Sequence, residues 1–219
     1  MVEVMAGGGK KYCIDATEVT GKQYLAWLNK VPAPMPSAQT HVACAMNTTF
    51  APMSMPANND KPVVNVDWCD AYAYCEMNGK RLCGSVMGGA FDFQAQPNTL
   101  DNQWYYACSN GGAQAYPYGA TFMADACNDE TPFSEGGMTA VVGSFSGCVG
   151  GVPDLFDMSG NVWEWEDSCE ADTDLTDMCR RRGGSVYNDP DSLDCPTATD
   201  QMRGEASNNV GFRCCADLP

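Results

Sequence analysis

The cysteines set the strongest limit on how this chain can fold. Thirteen of them are scattered from Cys13 to Cys215 in 219 residues. Such density is rare where thiols are kept reduced and ordinary where disulfides form. The chain is therefore expected to be secreted, periplasmic or on a cell surface. Cys-x-x-Cys is absent and His41 is the only histidine, so zinc-finger spacing does not occur. Thirteen is odd, so at least one thiol is free, capped or engaged in an intermolecular disulfide. Proximity along the chain suggests the pairs Cys169–Cys179 and Cys127–Cys148.

Composition narrows the partners. Hydrophobic residues are 44% of the chain, enough for a substantial core, yet no apolar run approaches the length of a membrane span. Lys and Arg total 12 against 28 Asp and Glu, a net charge of −16. A phosphate-binding surface needs clustered cations, so nucleic acid is not an expected partner. Residues 1–10 (MVEVMAGGGK) lack the charged start and apolar core of a signal peptide. An export signal is therefore expected outside the sequence.

Tyr12–Val19 has strand character. Thr20 is placed to cap a helix over Gly21–Asn29, with Tyr24, Trp27 and Leu28 on one face. Residues 30–61, rich in Pro, Met, Asn and Ala, read as a long loop pinned by Cys44, with His41 as a surface residue within it. Asp67 is placed to cap a second helix from Trp68 to about Asn78, closed by Gly79. Ala71, Tyr72 and Cys75 should face inward. Residues 87–102 read as loop, and a short third helix is expected over Asp101–Cys108. Glycine pairs punctuate the remainder, which reads as loops and short strands. No repeat or linker divides the chain. The expectation is a single α+β domain over residues 1–219.

The run Gly151–Cys169 reads GVPDLFDMSGNVWEWEDSC. Asp157 and Glu164 flank a tight Gly160-Asn161 turn whose carbonyls can point inward. Trp163 and Trp165 alternate with Glu164 and Glu166, as on a strand with the indoles on one face. Carboxylates with backbone carbonyls suit a hard cation such as calcium. The plainer reading is a turn followed by an amphipathic strand whose Glu164 is solvated.

Taken with YCIDATEVTGKQ (12–23), PVVNVDWCDAYAYCEMNGKRL (62–82), RGGS (182–185) and GFRCCAD (211–217), the run GNVWEW resembles the formylglycine-generating enzyme family of sulfatase-modifying factors. The motifs occur in the family's order and cover nearly the whole chain. The resemblance implies an irregular fold related to that of C-type lectins, with little regular secondary structure. It also implies disulfides Cys75–Cys214 and Cys108–Cys195. Cys13, Cys44, Cys69, Cys83 and Cys215 stay unassigned. One calcium ion is implied at Asp157 and Glu164 with the carbonyls of Gly160 and Val162. A second would use Asn128 and Glu135, with carbonyls near Asp129 and Gly137.

Family enzymes oxidise a cysteine of a sulfatase to formylglycine, using oxygen, copper and two redox cysteines placed soon after RGGS. Thiolates are the soft ligands that Cu(I) prefers. Here only Cys195 stands between RGGS and the terminal Cys214-Cys215 pair. Non-sulfur residues such as Ser185, Asn188 and Pro190 fall at the redox positions. Copper is not expected, and Cys195 is the one catalytic candidate. The favoured expectation is a calcium-stabilised binding module that takes a protein or glycan ligand on the 186–210 loop. Tyr187, Asn188, Asp189, Asp191, Asn208 and Asn209 are its candidate contacts. Relatives of this fold include variable ligand-binding proteins that vary in this segment. Two alternatives stand beside it: a copper-dependent formylglycine-generating enzyme or related oxidase acting through Cys195, and a structural component of a surface assembly.

Overall fold

The computed structural model describes residues 1–31, 41–56, 58–130 and 137–218. Among them, three helices and ten short strands are joined by long irregular segments. The first sheet takes β1 (Val2–Met5), β2 (Lys11–Ile14), β3 (Arg81–Leu82) and β10 (Cys214–Asp217) in the order β1-β2-β10-β3, all antiparallel. A two-stranded ribbon follows, β4 (Val149–Gly150) with β5 (Val152–Phe156). The second sheet runs β8 (Ala198–Met202), β7 (Met178–Arg182), β6 (Trp163–Cys169), β9 (Val210–Gly211), with only β6 and β9 parallel. The strand expected over Tyr12–Val19 is confined to Lys11–Ile14.

The helices start where the sequence offers acceptors. α1 (Gly21–Leu28) begins at Thr20, whose hydroxyl accepts from the Gln23 N–H while the Gln23 side chain reaches back to Thr20. That reciprocal box satisfies two otherwise orphaned donors. Asp67 and Asp70 build the same box at the start of α2 (Trp68–Met77). Gly79 then turns the chain at φ 69°. α3 is shorter than expected, Gln103–Cys108, because Asn102 caps it by accepting from the Tyr105 N–H. α2 is buried over most of its circumference: Trp68, Cys69, Ala71, Ala73, Tyr74 and Cys75 all lie in the core, and Tyr72 is only half-buried.

Two cores result. The larger gathers Tyr24, Trp27, Trp68, Tyr74 and Phe212 around Trp163 and Trp165 of β6. The smaller gathers Tyr12, Ile14, Trp104, Leu155 and Met158. Six disulfides brace the fold. Cys44–Cys69, Cys75–Cys214 and Cys169–Cys179 lie in or against the larger core, Cys83–Cys215 and Cys108–Cys195 lie in the smaller, and Cys127–Cys148 stands outside both. Three of these join segments 87 to 139 residues apart, so they close long loops of the unfolded chain. Cys13 is left as the free thiol. His41 is not a plain surface residue. Its ring lies 5.0 Å from Trp68 and 4.9 Å from Tyr72, with Nε2 at 3.5 Å from Asp172. No helix among the described residues is long and apolar enough to cross a membrane.

Candidate functional site

The segment after β7 is organised by Ser185. Its Oγ donates to Asn188 Oδ1 at 2.8 Å and accepts from Asn209 Nδ2 at 3.0 Å, while its N–H also donates to Asn188 Oδ1. Asn188 and Asn209 are therefore internal braces of the loop. Asp189 and Asp191 sit exposed at a short 3-10 turn over Pro190–Ser192, where Asp189 accepts from the Ser192 hydroxyl. The Tyr187 N–H also donates to Ser185 Oγ at 3.4 Å, and 49% of the residue's surface is exposed. Tyr187 lines a groove of about 490 Å³ with Asn208, Pro56, Val64, Lys61 and Met138. Of the six loop residues expected to contact a ligand, two line this groove. Val64 and Met138 come from distant segments, and no local pattern marked them.

No thiol faces this groove from the loop. Cys195 is fully buried and bonded to Cys108, and its N–H donates to the Ala115 carbonyl at 2.7 Å. A thiolate must be accessible to exchange with a substrate or hold copper. In this disulfide-bonded state Cys195 can do neither.

Beneath the loop lies a layer of buried charge. The expected alternation on β6 is present, but its carboxylate face is not solvated. Glu164 and Glu166 are 1% and 0% exposed. The Arg213 guanidinium grips Glu164 with two bonds of 2.7 Å, and Trp104 Nε1 adds a third at 2.8 Å. Arg213 also donates to the carbonyls of Asp15, Phe156 and Asp157. Glu166 takes Arg182 Nε at 2.8 Å and Asn102 Nδ2 at 2.7 Å. Paired this way, buried charges satisfy their hydrogen-bonding capacity.

The turn before β6 is shaped for close packing. Gly160 adopts φ 75°, and a Cβ there would fall 2.4 Å from the Asn128 carbonyl. Asn161 (φ 58°) donates to Glu18 Oε1 at 2.8 Å and accepts from Asn128 and Ala140. Asp157 accepts from the Gly143 N–H at 2.5 Å. Burial raises the pKa of Asp157, and burial followed by the neighbouring Asp157 raises that of Glu18 well above the usual range. Glu18 Oε2 is buried and accepts no hydrogen bond.

For calcium, the geometry adds a carboxylate to the expected pair. The Glu164 carboxylate is bound by Arg213 and lies within electrostatic reach of Asp157. Glu18, which the sequence did not single out, stands beside Asp157 as well. Among the described residues no three His, Cys, Asp or Glu side chains converge as a ready-made metal cage. An ion at this turn would rely on the carbonyls of Gly160 and Val162. At the second expected position Asn128 and Asp129 are buried, and Asn128 Nδ2 donates to the Met138 carbonyl. Gly137 has φ 79°. Glu135 lies outside the described residues.

Comparison with known proteins agrees with this architecture. Among curated relatives, the chain is 32% identical over 167 residues to the inactive C-alpha-formylglycine-generating enzyme 2 of Bos taurus. That alignment covers 70% of the chain and 49% of the relative, so the chain spans about half the length of that relative. It is 25% identical over 243 residues to the formylglycine-generating enzyme of Mycobacterium tuberculosis, covering 96% of the chain and 72% of the enzyme. Among solved structures, PvdO from Pseudomonas aeruginosa superposes with a TM-score of 0.65 at 18% identity, over 96% of the chain and 82% of that protein. Treponema denticola variable protein 1 superposes at 0.60 and 18% identity, over 95% and 85%. The model of the sulfatase-modifying factor enzyme 1-like domain matches residues 8–218, and the chain belongs to that family.

Proposed function

We propose that this chain is an exported binding module on a formylglycine-generating-enzyme scaffold, without that enzyme's redox chemistry. The observation that carries the reading is the state of the loop after β7. Its only cysteine before the terminal pair, Cys195, is buried in a disulfide, while Tyr187 and Asn208 of the same segment line an open groove. The ligand is a protein or glycan that meets this groove. The relatives named inactive support the loss of chemistry, and six disulfides fit an oxidising compartment. The test supplies Cu(I), oxygen and a sulfatase-derived cysteine peptide, with formylglycine read by mass spectrometry. No aldehyde is expected. Its formation would favour the alternative, an oxidase working through a reopened Cys195.

We assign one calcium ion to the turn at Asp157, held by Asp157 and Glu18 with the carbonyls of Gly160 and Val162. The support is charge balance. Glu18, Asp157 and Glu164 are buried around one guanidinium, and Glu18 Oε2 has no partner. A divalent cation there would neutralise the carboxylates and brace the turn. A ligand that binds only the folded state raises its stability. Chelator should therefore lower Tm and calcium restore it, with calorimetry giving one ion or, if the Asn128 position also fills, two. A Tm indifferent to both reagents would remove calcium from the account.

A second reading rests on Cys13, the unpaired and partly exposed thiol on β2. It would link copies or partners in a surface assembly. On a non-reducing gel such a link appears as a dimer that Cys13→Ser abolishes. A monomer under oxidising conditions would rule this out.

A further inference from the structure

We propose a second binding site, specific for a neutral saccharide, in the groove between residues 110–118 and 149–153. It shares no lining residue with the Tyr187 groove. Its volume of about 500 Å³ is within the range of small-molecule sites and admits one or two sugar rings.

Three features define the ligand. The first is charge. None of the nine residues lining this groove is ionisable except the Tyr118 phenol, in a chain that carries 28 carboxylates. A charged ligand would find no countercharge within the lining. The second is a rigid aromatic wall. Tyr118 stacks on Tyr116 with centroids 5.5 Å apart and planes 11° from parallel, and Phe122 abuts Tyr116 at 6.0 Å. Tyr116 Oη donates to the Pro190 carbonyl at 3.2 Å, which fixes the pair against the neighbouring loop. A held ring offers apolar area to the C–H face of a pyranose at little entropic cost.

The third feature is an unmet acceptor. Gln114 Oε1 is buried and accepts no hydrogen bond, although its backbone N–H is secured on Ser109. A buried acceptor without a donor is costly, and a sugar hydroxyl is a suitable one. Asn110, held at φ 51°, adds a second amide to the lining. The floor is built by close backbone contact. A Cβ on Gly150 would lie 2.1 Å from the Pro117 carbonyl, and one on Gly151 would lie 2.0 Å from that of Ala107. Aromatic face, amides and bare backbone, with no ion pair to make, match the hydroxyl and C–H surface of an uncharged sugar.

The experiment titrates the ¹⁵N-labelled full chain with maltotriose, cellotriose and triacetylchitotriose. At least one should saturably shift the amides of Asn110, Gln114, Tyr118 and Gly150. Tyr118→Ala should weaken that binding about tenfold, the effect of losing one good aromatic contact. Gln114→Ala should weaken it several-fold and, as a half-exposed position, serves alone if Tyr118→Ala does not fold. The site is overturned if none of the three sugars shifts these amides. It is equally overturned if the shifts fall at Tyr187 and Asn208, or if the variants bind as tightly as the parent.

Discussion

Arg213 shows how much of this fold rests on single buried polar residues. It is 1% exposed, pairs bidentately with Glu164 and reaches three carbonyls from two other segments. Burial acts to lower the pKa of its guanidinium, but Glu164, Glu18 and Asp157 together hold it above the ordinary value. Arg213→Met leaves Glu164 charged and unpaired in the interior, where a broken buried pair costs about 3–5 kcal/mol. Chemical denaturation should show that loss, and Arg213→Met with Glu164→Gln should recover part of it. If the single variant unfolds at the parent's midpoint, the pair is not structural. The sequence displayed Arg213 within GFRCC and Glu164 within WEWE, but each reads locally as a polar residue among apolar ones. Their meeting across 49 residues is not written in either motif.

At the scale of elements, caps and crosslinks divide the work. α1 and α2 begin at Thr20 and Asp67, where the sequence placed them, because a cap depends on residues three positions apart. The strands are too short to stand alone and are held by what crosses between them. Cys108–Cys195 ties α3 to the loop after β7 over 87 residues. Replacing both cysteines with serine should cost about 2–5 kcal/mol, the usual range for removing a native disulfide from a small secreted domain. It should also loosen the loop carrying Tyr187, seen as faster amide exchange over residues 186–195. Unchanged exchange there would mean that Ser185 and its asparagine partners hold the loop without the crosslink. The pairs Cys44–Cys69 and Cys83–Cys215 were not assigned from sequence, since connectivity depends on which segments become neighbours.

Across the whole molecule, buried acids set the response to pH. Burial pushes Asp67 and Asp167 up to about 6, and Glu18, Asp70 and Asp157 are raised as well. An acid with a raised folded pKa binds its proton more tightly folded than unfolded, so stability falls as pH rises from the unfolded pKa through the folded one. Self-repulsion at a net charge of −16 acts in the same direction. Tm should therefore be higher near pH 5 than near pH 7.5, with most of the change between about pH 4 and 6. Calcium should flatten the part due to Glu18 and Asp157. A Tm that climbs with pH over this range would contradict the burial of these acids.

By itself the sequence determined the family, the α+β character, the two capped helices, the glycine turn before β6 and the absence of a redox pair after RGGS. All of these are read along the chain: spacings and caps within a few residues, and the family from the order of its motifs. Tertiary structure alone decided that Glu164 answers to Arg213, that Glu18 joins Asp157, that His41 meets Trp68 edge-on, and that Tyr187 shares a groove with Val64 and Met138. The physical reason is the same in each case. Whether a carboxylate faces water, an ion or a guanidinium depends on neighbours brought from far along the chain, and so does the boundary of a groove.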